Sequence, residues 1–346
     1  MAISLNSKQN GKLHLVAEPG AAGKRTGVDG VATNIRVSTV VVSYNTREMT
    51  LDCLRAITST GSDQRLEIFA VDNNSGDGSA AAIREAFPDV TLIVNERNLG
   101  FGAANNQAMR LATGEFVLLV NSDAFVKTGS VEAMLDCMHR NPRAGVVGPR
   151  LVNHDGSLQR SCFRFPSPGQ AWRENLWLTK LFGSESKLGD YRRWGHDFER
   201  EVDWVVGACL LVRREAVETV GDFDEEFFMY GEETDWQRRM RDAGWRIFFT
   251  PTAEVTHLGG ESGKAEQAKI SQSFFNSLDR YELKHHGVWG LLALRAAMAV
   301  GCLLRLVIWA VVLICVPPRR AVAAAKVKLM GWLLWRQTTC WKLATA

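Results

Sequence analysis

Short apolar runs alternate with helix-like segments over the first 140 residues, and this alternation constrains the fold more than any other feature of the sequence. Four runs have the length and the β-branched content of buried strands: VSTVVVS (37–43), LEIFAVD (66–72), VTLIVN (90–95) and EFVLLVN (115–121). Segments with helical periodicity separate them, and a further helix is predicted near 129–140. This spacing predicts an α/β fold with a parallel sheet that is covered by helices on both faces.

Polar residues end three of these strands, at the edge of a parallel sheet where ligands bind. The endings are Ser43-Tyr44-Asn45, Asp72-Asn73-Asn74 and Asn121-Ser122-Asp123. Asp72 is a candidate for hydrogen bonding to a pyrimidine base. Asp123 is a candidate ligand of a divalent cation, since an ion held mainly by substrate phosphates needs only one or two protein ligands. Either carboxylate could instead cap the turn or helix that follows it.

Three later segments carry further candidate groups. Two glycines precede a predicted helix in GFGAANNQAM (100–109), where backbone N–H groups can receive an anion, although the GxGxxG spacing of a dinucleotide site is absent. A second segment concentrates Glu232, Glu233 and Asp235 in the run MYGEETDW, at a predicted helix start where the helix dipole alone favours acids. His257 follows a strand-like run in a loop position, where a lone histidine is more often structural.

Composition limits the class of protein. The net charge of +3 is too small to indicate a nucleic-acid partner, and 46% apolar residues are typical of a folded chain. Seven cysteines without a CxxC pair or zinc-site spacing favour reduced, mostly buried thiols in a cytosolic compartment. Residues 1–35 lack the apolar core of a signal peptide and are predicted to be a disordered leader.

The C-terminal part of the chain has the composition of a membrane segment. The 21 residues from Ala296 to Val316 carry one charge, Arg305, and could cross a hydrocarbon core of about 30 Å. Both the preceding domain and the basic run that follows favour the cytoplasmic side, which a single crossing cannot satisfy. We therefore predict a peripheral or re-entrant helix at the cytoplasmic face of the inner (plasma) membrane, with a second amphipathic segment at 328–344. The alternative is a helical pair packed on the domain or in a homo-oligomer.

Taken in chain order, these motifs resemble the inverting glycosyltransferases of family 2, and especially the rhamnosyltransferase-like branch. The resemblance covers roughly residues 37 to 262. The matching segments are VVVSYNTREMTLDCLRAI (40–57), VDNNSGDGS (71–79), NLGFGAANNQAM (98–109), LLVNSDAF (118–125), DGSLQRSCFRFPS (155–167), DWVVGACLLVRREAVETVGDFDEEFFMYGEETDWQRRMRDAGWRI (203–247) and AEVTHLGGES (253–262).

The resemblance implies a fold of the glycosyltransferase A type. This is a Rossmann-like nucleotide-binding mixed sheet flanked by helices, here followed by C-terminal membrane-associated helices. The domain plan is then a leader over 1–35, a glycosyltransferase catalytic domain over 36–287 and a membrane-associated helical segment over 288–346.

The resemblance also implies roles for individual residues. Mg²⁺ or Mn²⁺ would be held by Asp123 and His257, and Asn121 replaces the first acid of the family's DxD element. Glu233 falls where the family places the catalytic base, and Glu232 or Asp235 could do that work instead. The acceptor pocket is assigned to Asp203 and Trp204 from chain order alone. The nucleotide sugar would contact Ser43, Asn45, Asp72, Asn98, Gly100, Asn105, Asn121 and Asp123.

The implied activity is transfer of a sugar from a nucleotide-sugar donor to a hydroxyl of a lipid-linked or cell-envelope glycan, with inversion. The branch suggests L-rhamnose from dTDP-L-rhamnose. A UDP-sugar is the alternative, because thymine and uracil present the same N3–H to Asp72. The acids at 123 and 233 speak against a catalytically silent nucleotide- or sugar-binding module. The absence of a glycine- and lysine-rich loop near the first strand speaks against a nucleotidyltransferase.

Overall fold

The computed structural model of the protein describes residues 2–4, 37–59, 66–182, 191–259 and 267–339. It divides into two compact units. The first contains Met1–Phe163 and Gly195–Ile270, and the second contains Arg164–Trp194 and Ser271–Ala346. Of the predicted leader, residues 2–4 form a short strand, and the rest lies outside the described residues.

A mixed sheet forms the centre of the first unit. The strands of the unit are β1 (Ala2–Ser4), β2 (Val37–Ser43), β3 (Leu66–Asp72), β4 (Thr91–Val94), β5 (Phe116–Asn121), β6 (Ala124–Val126), β7 (Ala144–Val152), β8 (Leu158–Gln159), β9 (Cys162–Phe163), β10 (Arg200–Val202), β11 (Trp204–Val205), β12 (Cys209–Arg213) and β13 (Arg246–His257). β9 and β11 form a separate two-stranded sheet, and the other strands belong to the mixed sheet. The order along the sheet is β1-β4-β3-β2-β5-β12-β7-β13-β10, with β6 beside β13 and β8 beside β7.

Parallel pairing holds only for part of this sheet. The strands β4, β3, β2 and β5 are parallel neighbours, as the alternation of strands and helices predicts. β12 runs antiparallel to both β5 and β7. The sheet is therefore mixed, as the family resemblance implies and the alternation alone does not.

Helices cover the sheet and complete the second unit. They are α1 (Arg47–Ser59), α2 (Ser79–Ala86), α3 (Phe101–Met109), α4 (Ser130–Arg140), α5 (Pro168–Asn175), α6 (Arg214–Val220), α7 (Glu232–Asp242), α8 (Gln267–Cys315) and α9 (Arg320–Thr339). In α1 the side chains of Leu51, Leu54 and Ile57 recur at helical spacing and are buried, as the sequence predicts. Burial of such a side chain stabilises the fold by about 1.5–3 kcal/mol.

Apolar strands supply most of the core of the first unit. Val37, Val40 and Val41 of β2 have no exposed surface, because helices cover the sheet on both sides of this central strand. Among the described cysteines, Cys315 is exposed and the others are buried thiols, as predicted. Burial raises the pKa of the Cys53 and Cys209 thiols, which keeps them protonated and unreactive.

A buried carboxylate links the two long helices of the second unit. Asp279 lies 3.0 Å from a guanidinium nitrogen of Arg295 and 3.0 Å from one of Arg336. Gly287 interrupts α8 with φ 67° and ψ −171°, so Asp279 and Arg295 lie on opposite arms of the kinked helix. The ion pairs therefore join both arms of α8 to α9. The domain boundary was predicted at residue 287, and the C-terminal part of the second unit begins at Ser271.

The second arm of α8 is strongly apolar. Within the part of the chain that the structure describes, one helical segment is long and apolar enough to cross a membrane. It is the part of α8 from Gln272 to Cys315, with a mean hydropathy of 2.5 in its most apolar window. Its large side chains are largely exposed, among them Trp289, Val307 and Ile314. The unit thus presents an apolar surface to its surroundings.

Candidate functional site

A cavity of about 220 Å³ lies at the carboxyl ends of the central strands of the first unit. Val42 at the end of β2 and Asn121 at the end of β5 are partners in the sheet, and both line the cavity. This is the edge at which ligands bind in open α/β sheets. The cavity brings together seven of the residues selected from the sequence: Asn98, Gly100, Asn121, Asp123, Glu232, Glu233 and His257.

Three of the remaining donor-site candidates lie outside the cavity lining and make local contacts. The Ser43 hydroxyl lies 2.9 Å from the Thr50 hydroxyl. The side-chain oxygen of Asn45 accepts a hydrogen bond from the backbone N–H of Gly76 at 2.8 Å. The amide nitrogen of Asn105 donates to the carbonyl of Phe101 one helical turn earlier, at 2.9 Å. These residues organise the loops that follow β2 and β4.

Asp72 also lies outside the cavity lining, but its carboxylate retains a buried acceptor. One oxygen accepts a hydrogen bond from the backbone N–H of Ser75 at 3.1 Å, so the predicted turn-capping role is present. The other oxygen, Oδ1, is buried and has no hydrogen-bond partner among the described residues. Because Asp72 pairs with Ser43 across the ends of β3 and β2, this acceptor belongs to the same sheet edge.

The structure separates Asp235 from the other two acids. Its carboxylate is fully buried and forms a 2.9 Å ion pair with Arg239, four residues along α7. Asp235 does not line the cavity, so the proposal that it could act as base has no geometric support. Asp203 and Trp204 are likewise absent from the lining, although Val206 two residues later is part of it. The Trp204 ring stacks on Phe163 at 5.0 Å between centroids.

The side chains of Asp123 and His257 lie next to each other in the lining of the cavity. The Oδ1 atom of Asp123 lies 3.3 Å from the Nε2 atom of His257. Backbone pairing holds this approach, because His257 is the partner of Ala124 between β13 and β6, and the N–H of Leu258 donates to the Asp123 carbonyl at 3.0 Å. Two residues 134 positions apart in the sequence therefore present one oxygen and one nitrogen to the same point.

These residues fit a divalent cation. The side-chain oxygen Oδ1 of Asn121 is buried in the same wall and lacks a hydrogen-bond partner within the described chain. No group of three or more His, Cys, Asp or Glu side chains with metal-site geometry occurs among the described residues. A carboxylate, an imidazole and an amide oxygen nevertheless suit Mg²⁺ or Mn²⁺ when phosphate oxygens and water complete the coordination.

Glu232 and Glu233 line the cavity from the first turn of α7. One carboxylate oxygen of Glu233 accepts a hydrogen bond from the backbone N–H of Gly231 at 3.1 Å. Burial raises the pKa of Glu233, and hydrogen bonds from the backbone N–H groups of Gly231 and Gly207 oppose that rise. Such bonds favour the ionised carboxylate.

Glu232 has the opposite balance. Burial, reinforced by the charge of Glu233, raises the pKa of Glu232 well above its usual range. Its Oε2 atom is buried and has no hydrogen-bond partner in the described part of the protein. The two neighbours therefore differ: backbone N–H groups favour the ionised carboxylate at Glu233, whereas burial beside that charge favours the protonated form of Glu232. Two carboxyl groups in such unequal environments are typical of sites that use one of them as a base.

Gly100 is in backbone contact with the segment that leads to these acids. Its φ of 86° and ψ of 171° belong to a region that other residues rarely adopt. A Cβ atom at this position would lie 2.4 Å from the carbonyl oxygen of Phe228. The turn that was predicted to bind an anion thus has a packing role in the structure, because Phe101 donates its N–H to that carbonyl. Anion binding there stays a prediction.

Asn73 lines the cavity but was not selected from the sequence. Its amide nitrogen donates to the side-chain oxygen of Asn98 at 2.9 Å. Its amide oxygen accepts from the N–H of Leu99 at 3.0 Å and from the amide of Asn95 at 3.1 Å. Asn73 thus clamps the loop after β4 to the end of β3, and its position beside Asp72 in the matching segment VDNNSGDGS was the available signal.

Comparison with known proteins identifies the family. Residues 38–221, more than half of the chain, match the sequence profile described as Glycosyl transferase family 2. An N-acetylglucosaminyl-diphospho-decaprenol L-rhamnosyltransferase from Mycobacterium tuberculosis is 32% identical over 285 residues, which cover 74% of this chain and 90% of that protein. The chain belongs to glycosyl transferase family 2. The resemblance found in the sequence motifs, including that to rhamnosyltransferases, is confirmed.

Other relatives of this family 2 glycosyltransferase are more distant. A low-salt glycan biosynthesis hexosyltransferase from Haloferax volcanii is 24% identical over 250 residues, covering 70% of this chain and 72% of that protein. The structure of a mannosyltransferase from Pyrobaculum calidifontis, solved in complex with GDP-Man and Mn²⁺, superposes with a TM-score of 0.50 at 20% identity, covering 90% of this chain and 92% of that one. This likeness concerns the fold, and it confirms the glycosyltransferase A type.

Proposed function

We propose that the protein transfers L-rhamnose from dTDP-L-rhamnose, with inversion, to a hydroxyl of a lipid-linked glycan. One observation carries the proposal: the facing pair Asp123 and His257 lines the same cavity as the carboxylates of Glu232 and Glu233. A site that breaks a sugar–diphosphate bond needs one group for the departing diphosphate and another for the acceptor's proton. Both kinds of group are present in a single cavity.

The nucleotide is assigned from the acceptor atom at the sheet edge. The Oδ1 atom of Asp72 is buried without a hydrogen-bond partner among the described residues, so it is suited to accept a hydrogen bond from the N3–H of a pyrimidine. A buried acceptor without a partner is costly, and a ligand that supplies the donor removes that cost. Thymine and uracil offer that donor equally. The rhamnosyltransferase named among the relatives supports the choice of dTDP-L-rhamnose, and a UDP-sugar remains the alternative donor.

The departing diphosphate would be received at Asp123. Bound Mg²⁺ or Mn²⁺ would neutralise the charge that develops on the leaving group. Asp123 and His257 would hold the ion, with the side-chain oxygen of Asn121 in reach of the same wall. The mannosyltransferase of the same fold was solved with Mn²⁺, which supports a divalent ion here. Asn121 in place of an acid leaves a single carboxylate to hold it.

The acceptor hydroxyl would be activated by Glu233. Its ionised carboxylate, held by backbone N–H groups at the start of α7, takes the proton as the acceptor oxygen attacks the anomeric carbon. Attack on the face opposite the leaving diphosphate gives one displacement and inversion. Burial and the neighbouring charge raise the pKa of Glu232, so its carboxyl group is suited to donate a hydrogen bond to a sugar hydroxyl rather than to accept a proton.

We place the enzyme at the cytoplasmic face of the inner membrane, held there by the apolar second arm of α8 in a peripheral or re-entrant position. The exposed Trp289, Val307 and Ile314 support a lipid-facing surface, and Arg319 and Arg320 follow the apolar arm, where anionic lipid attracts them. A lipid-linked acceptor is confined to the same surface. The decaprenol-linked substrate in the name of the mycobacterial relative supports this class of acceptor.

The proposal is tested with the purified full-length protein in detergent. A panel of dTDP- and UDP-sugars is assayed for nucleotide diphosphate release, with and without N-acetylglucosaminyl-diphospho-polyprenol as acceptor. We expect release of dTDP from dTDP-L-rhamnose only when the acceptor is present, and a product whose anomeric configuration, read by NMR, is opposite to that of the donor. Turnover of UDP-sugars alone would establish the alternative donor, and a retained configuration would exclude the single displacement.

A further inference from the structure

Gln159, the last residue of β8, contacts the imidazole of His257. Its amide oxygen Oε1 lies 2.6 Å from His257 Nδ1. The amide nitrogen of Gln159 donates to the backbone carbonyl of His257 at 3.1 Å and to the side-chain oxygen of Asn153 at 2.9 Å. Since a backbone carbonyl can only accept, the nitrogen must occupy that side, and the oxygen must face the imidazole.

This orientation determines which nitrogen of His257 carries the proton. An amide oxygen only accepts hydrogen bonds, so Nδ1 must be the donor to Gln159. In the neutral imidazole Nε2 then keeps its lone pair, and it points at Asp123 Oδ1 from 3.3 Å. Two electron-rich atoms at this separation repel each other, and a cation between them turns the repulsion into attraction.

Strand pairing also places Gln159 beside His257. β8 forms a hairpin with β7, in which Leu151 pairs with Gln159, and Leu151 also pairs with Val255 of β13. Gln159 and His257 therefore lie at the ends of strands that are joined to the same central strand. Their contact connects residues 98 positions apart.

We propose that Gln159 is the positioning residue of the cation site: it fixes the imidazole of His257 in the tautomer and orientation that present Nε2 to an ion shared with Asp123. The inference deepens the proposed function and depends on its divalent ion. With Asn121 where a second acid would stand, the site has one carboxylate, so the second ligand must be correctly oriented before the ion arrives. Loss of such an orienting partner typically weakens metal binding about 10- to 100-fold.

The experiment compares three variants with the parent enzyme. Gln159→Leu removes the acceptor for Nδ1–H at similar volume, and Gln159→Glu retains an acceptor oxygen. Ser157→Ala is the matched control. It removes a hydroxyl in the same hairpin that accepts a hydrogen bond from the side-chain amide of Asn153, and this hydroxyl does not contact His257. The dissociation constant of Mn²⁺ is measured by electron paramagnetic resonance in the presence of dTDP. Separately, long-range ¹H–¹⁵N spectra of ¹⁵N-histidine-labelled protein report the His257 tautomer, which is assigned by its loss in His257→Gln.

We expect the parent and Ser157→Ala to bind Mn²⁺ alike and Gln159→Leu to bind about 10- to 100-fold more weakly, with Gln159→Glu retaining more affinity than the leucine variant. The parent spectrum should show the Nδ1–H tautomer at pH 8, and the leucine variant a mixture. Equal Mn²⁺ affinity of Gln159→Leu and the parent, or an Nε2–H tautomer in the parent, would overturn the inference and leave the proposed function standing. A parent enzyme that binds no Mn²⁺ with either dTDP or UDP would instead overturn the metal-dependent mechanism, and this inference with it.

Discussion

The backbone N–H of Phe101 donates a hydrogen bond to the carbonyl oxygen of Phe228 at 3.1 Å. The first turn of α3, on the side of the cavity assigned to the donor, is thereby joined to the segment that leads into Glu232 and Glu233. The contact is possible because Gly100 has no side chain between the two backbones. The main chain therefore couples the position of the wall proposed to bind the donor to the position of the wall that carries the two acids.

Gly100→Ala is expected to disrupt this coupling. The added methyl group would meet the Phe228 carbonyl at 2.4 Å, so one of the two backbones must move. Gly221→Ala is the matched control, because Gly221 has nearly the same backbone angles, φ 79° and ψ −178°, and no atom within 4 Å of the position that a Cβ would take. Thermal unfolding should show a cost of about 1–3 kcal/mol for Gly221→Ala, from strain alone, and a larger one for Gly100→Ala.

The activities of the two variants should also differ. Gly221→Ala should keep kcat/KM near that of the parent, since no cavity residue moves, and Gly100→Ala should lower it even at temperatures where the variant is folded. Equal losses of stability and activity in the two variants would show that backbone strain, rather than the close approach to Phe228, accounts for the requirement for glycine at position 100.

The two neighbouring glutamates should respond differently to the same isosteric change. Glu233→Gln removes the proposed base and should lower kcat by about 10²- to 10⁴-fold. Glu232→Gln replaces a carboxyl group whose protonated form burial favours by a neutral amide of the same shape, so most of the activity should remain. Turnover in the purified variants, with folding checked by circular dichroism, measures both. A Glu232 variant as inactive as the Glu233 variant would transfer the role of base to Glu232 or to the pair.

The pH dependence should carry the signature of a buried base. Burial raises the pKa of Glu233, and the base works only when deprotonated, so kcat/KM should fall as the pH drops through that raised value. The acidic limb should therefore lie above the pH of about 4.3 that is normal for glutamate. In Glu232→Gln the limb should stay in place, because the neutral amide replaces a carboxyl group whose pKa is raised well above its usual range. An acidic limb at the ordinary glutamate value would contradict the assignment.

Removal of the ion or of its ligands should slow the reaction without unfolding the protein. We expect EDTA to abolish turnover and Mn²⁺ or Mg²⁺ to restore it. Asp123→Asn should cost about 10²- to 10³-fold in kcat, since it removes the one carboxylate of the site while keeping the side-chain shape. The Mn²⁺ concentration for half-maximal activity should rise in His257→Ala. Full activity after exhaustive chelation would exclude the metal-dependent mechanism.

Membrane association should depend on the exposed apolar side chains of α8. Val307→Glu combined with Ile314→Glu places two charges on the apolar arm and should shift the protein from the vesicle pellet to the supernatant in co-sedimentation with anionic lipid. Phe198→Glu, at an exposed apolar residue of the first unit, is the control and should sediment as the parent does. Unchanged sedimentation of the double variant would remove this arm from the membrane assignment.

Local sequence patterns predicted the strands of the first half with little error. The runs 37–43 and 66–72 coincide with β2 and β3, because a β-branched apolar run bounded by polar turn residues has few other ways to bury itself. The antiparallel entry of β12 was not predictable from alternation, since strand direction depends on where a distant segment docks. In the same way, spacing could not separate Asp235 from its neighbours, whereas its ion pair with Arg239 and its absence from the cavity lining do so.

The sequence by itself determined the family, the order of strands and helices in its first half and the residue types of the cavity, because these follow from local periodicity and from motifs in a characteristic order. Tertiary structure alone decided which of those residues meet. The approach of His257 to Asp123, the contact of Gln159 with His257 and the clamp at Asn73 all join segments far apart in the chain. Strand pairing and hydrogen-bond direction create such contacts, and neither is encoded in the spacing of residues along the sequence.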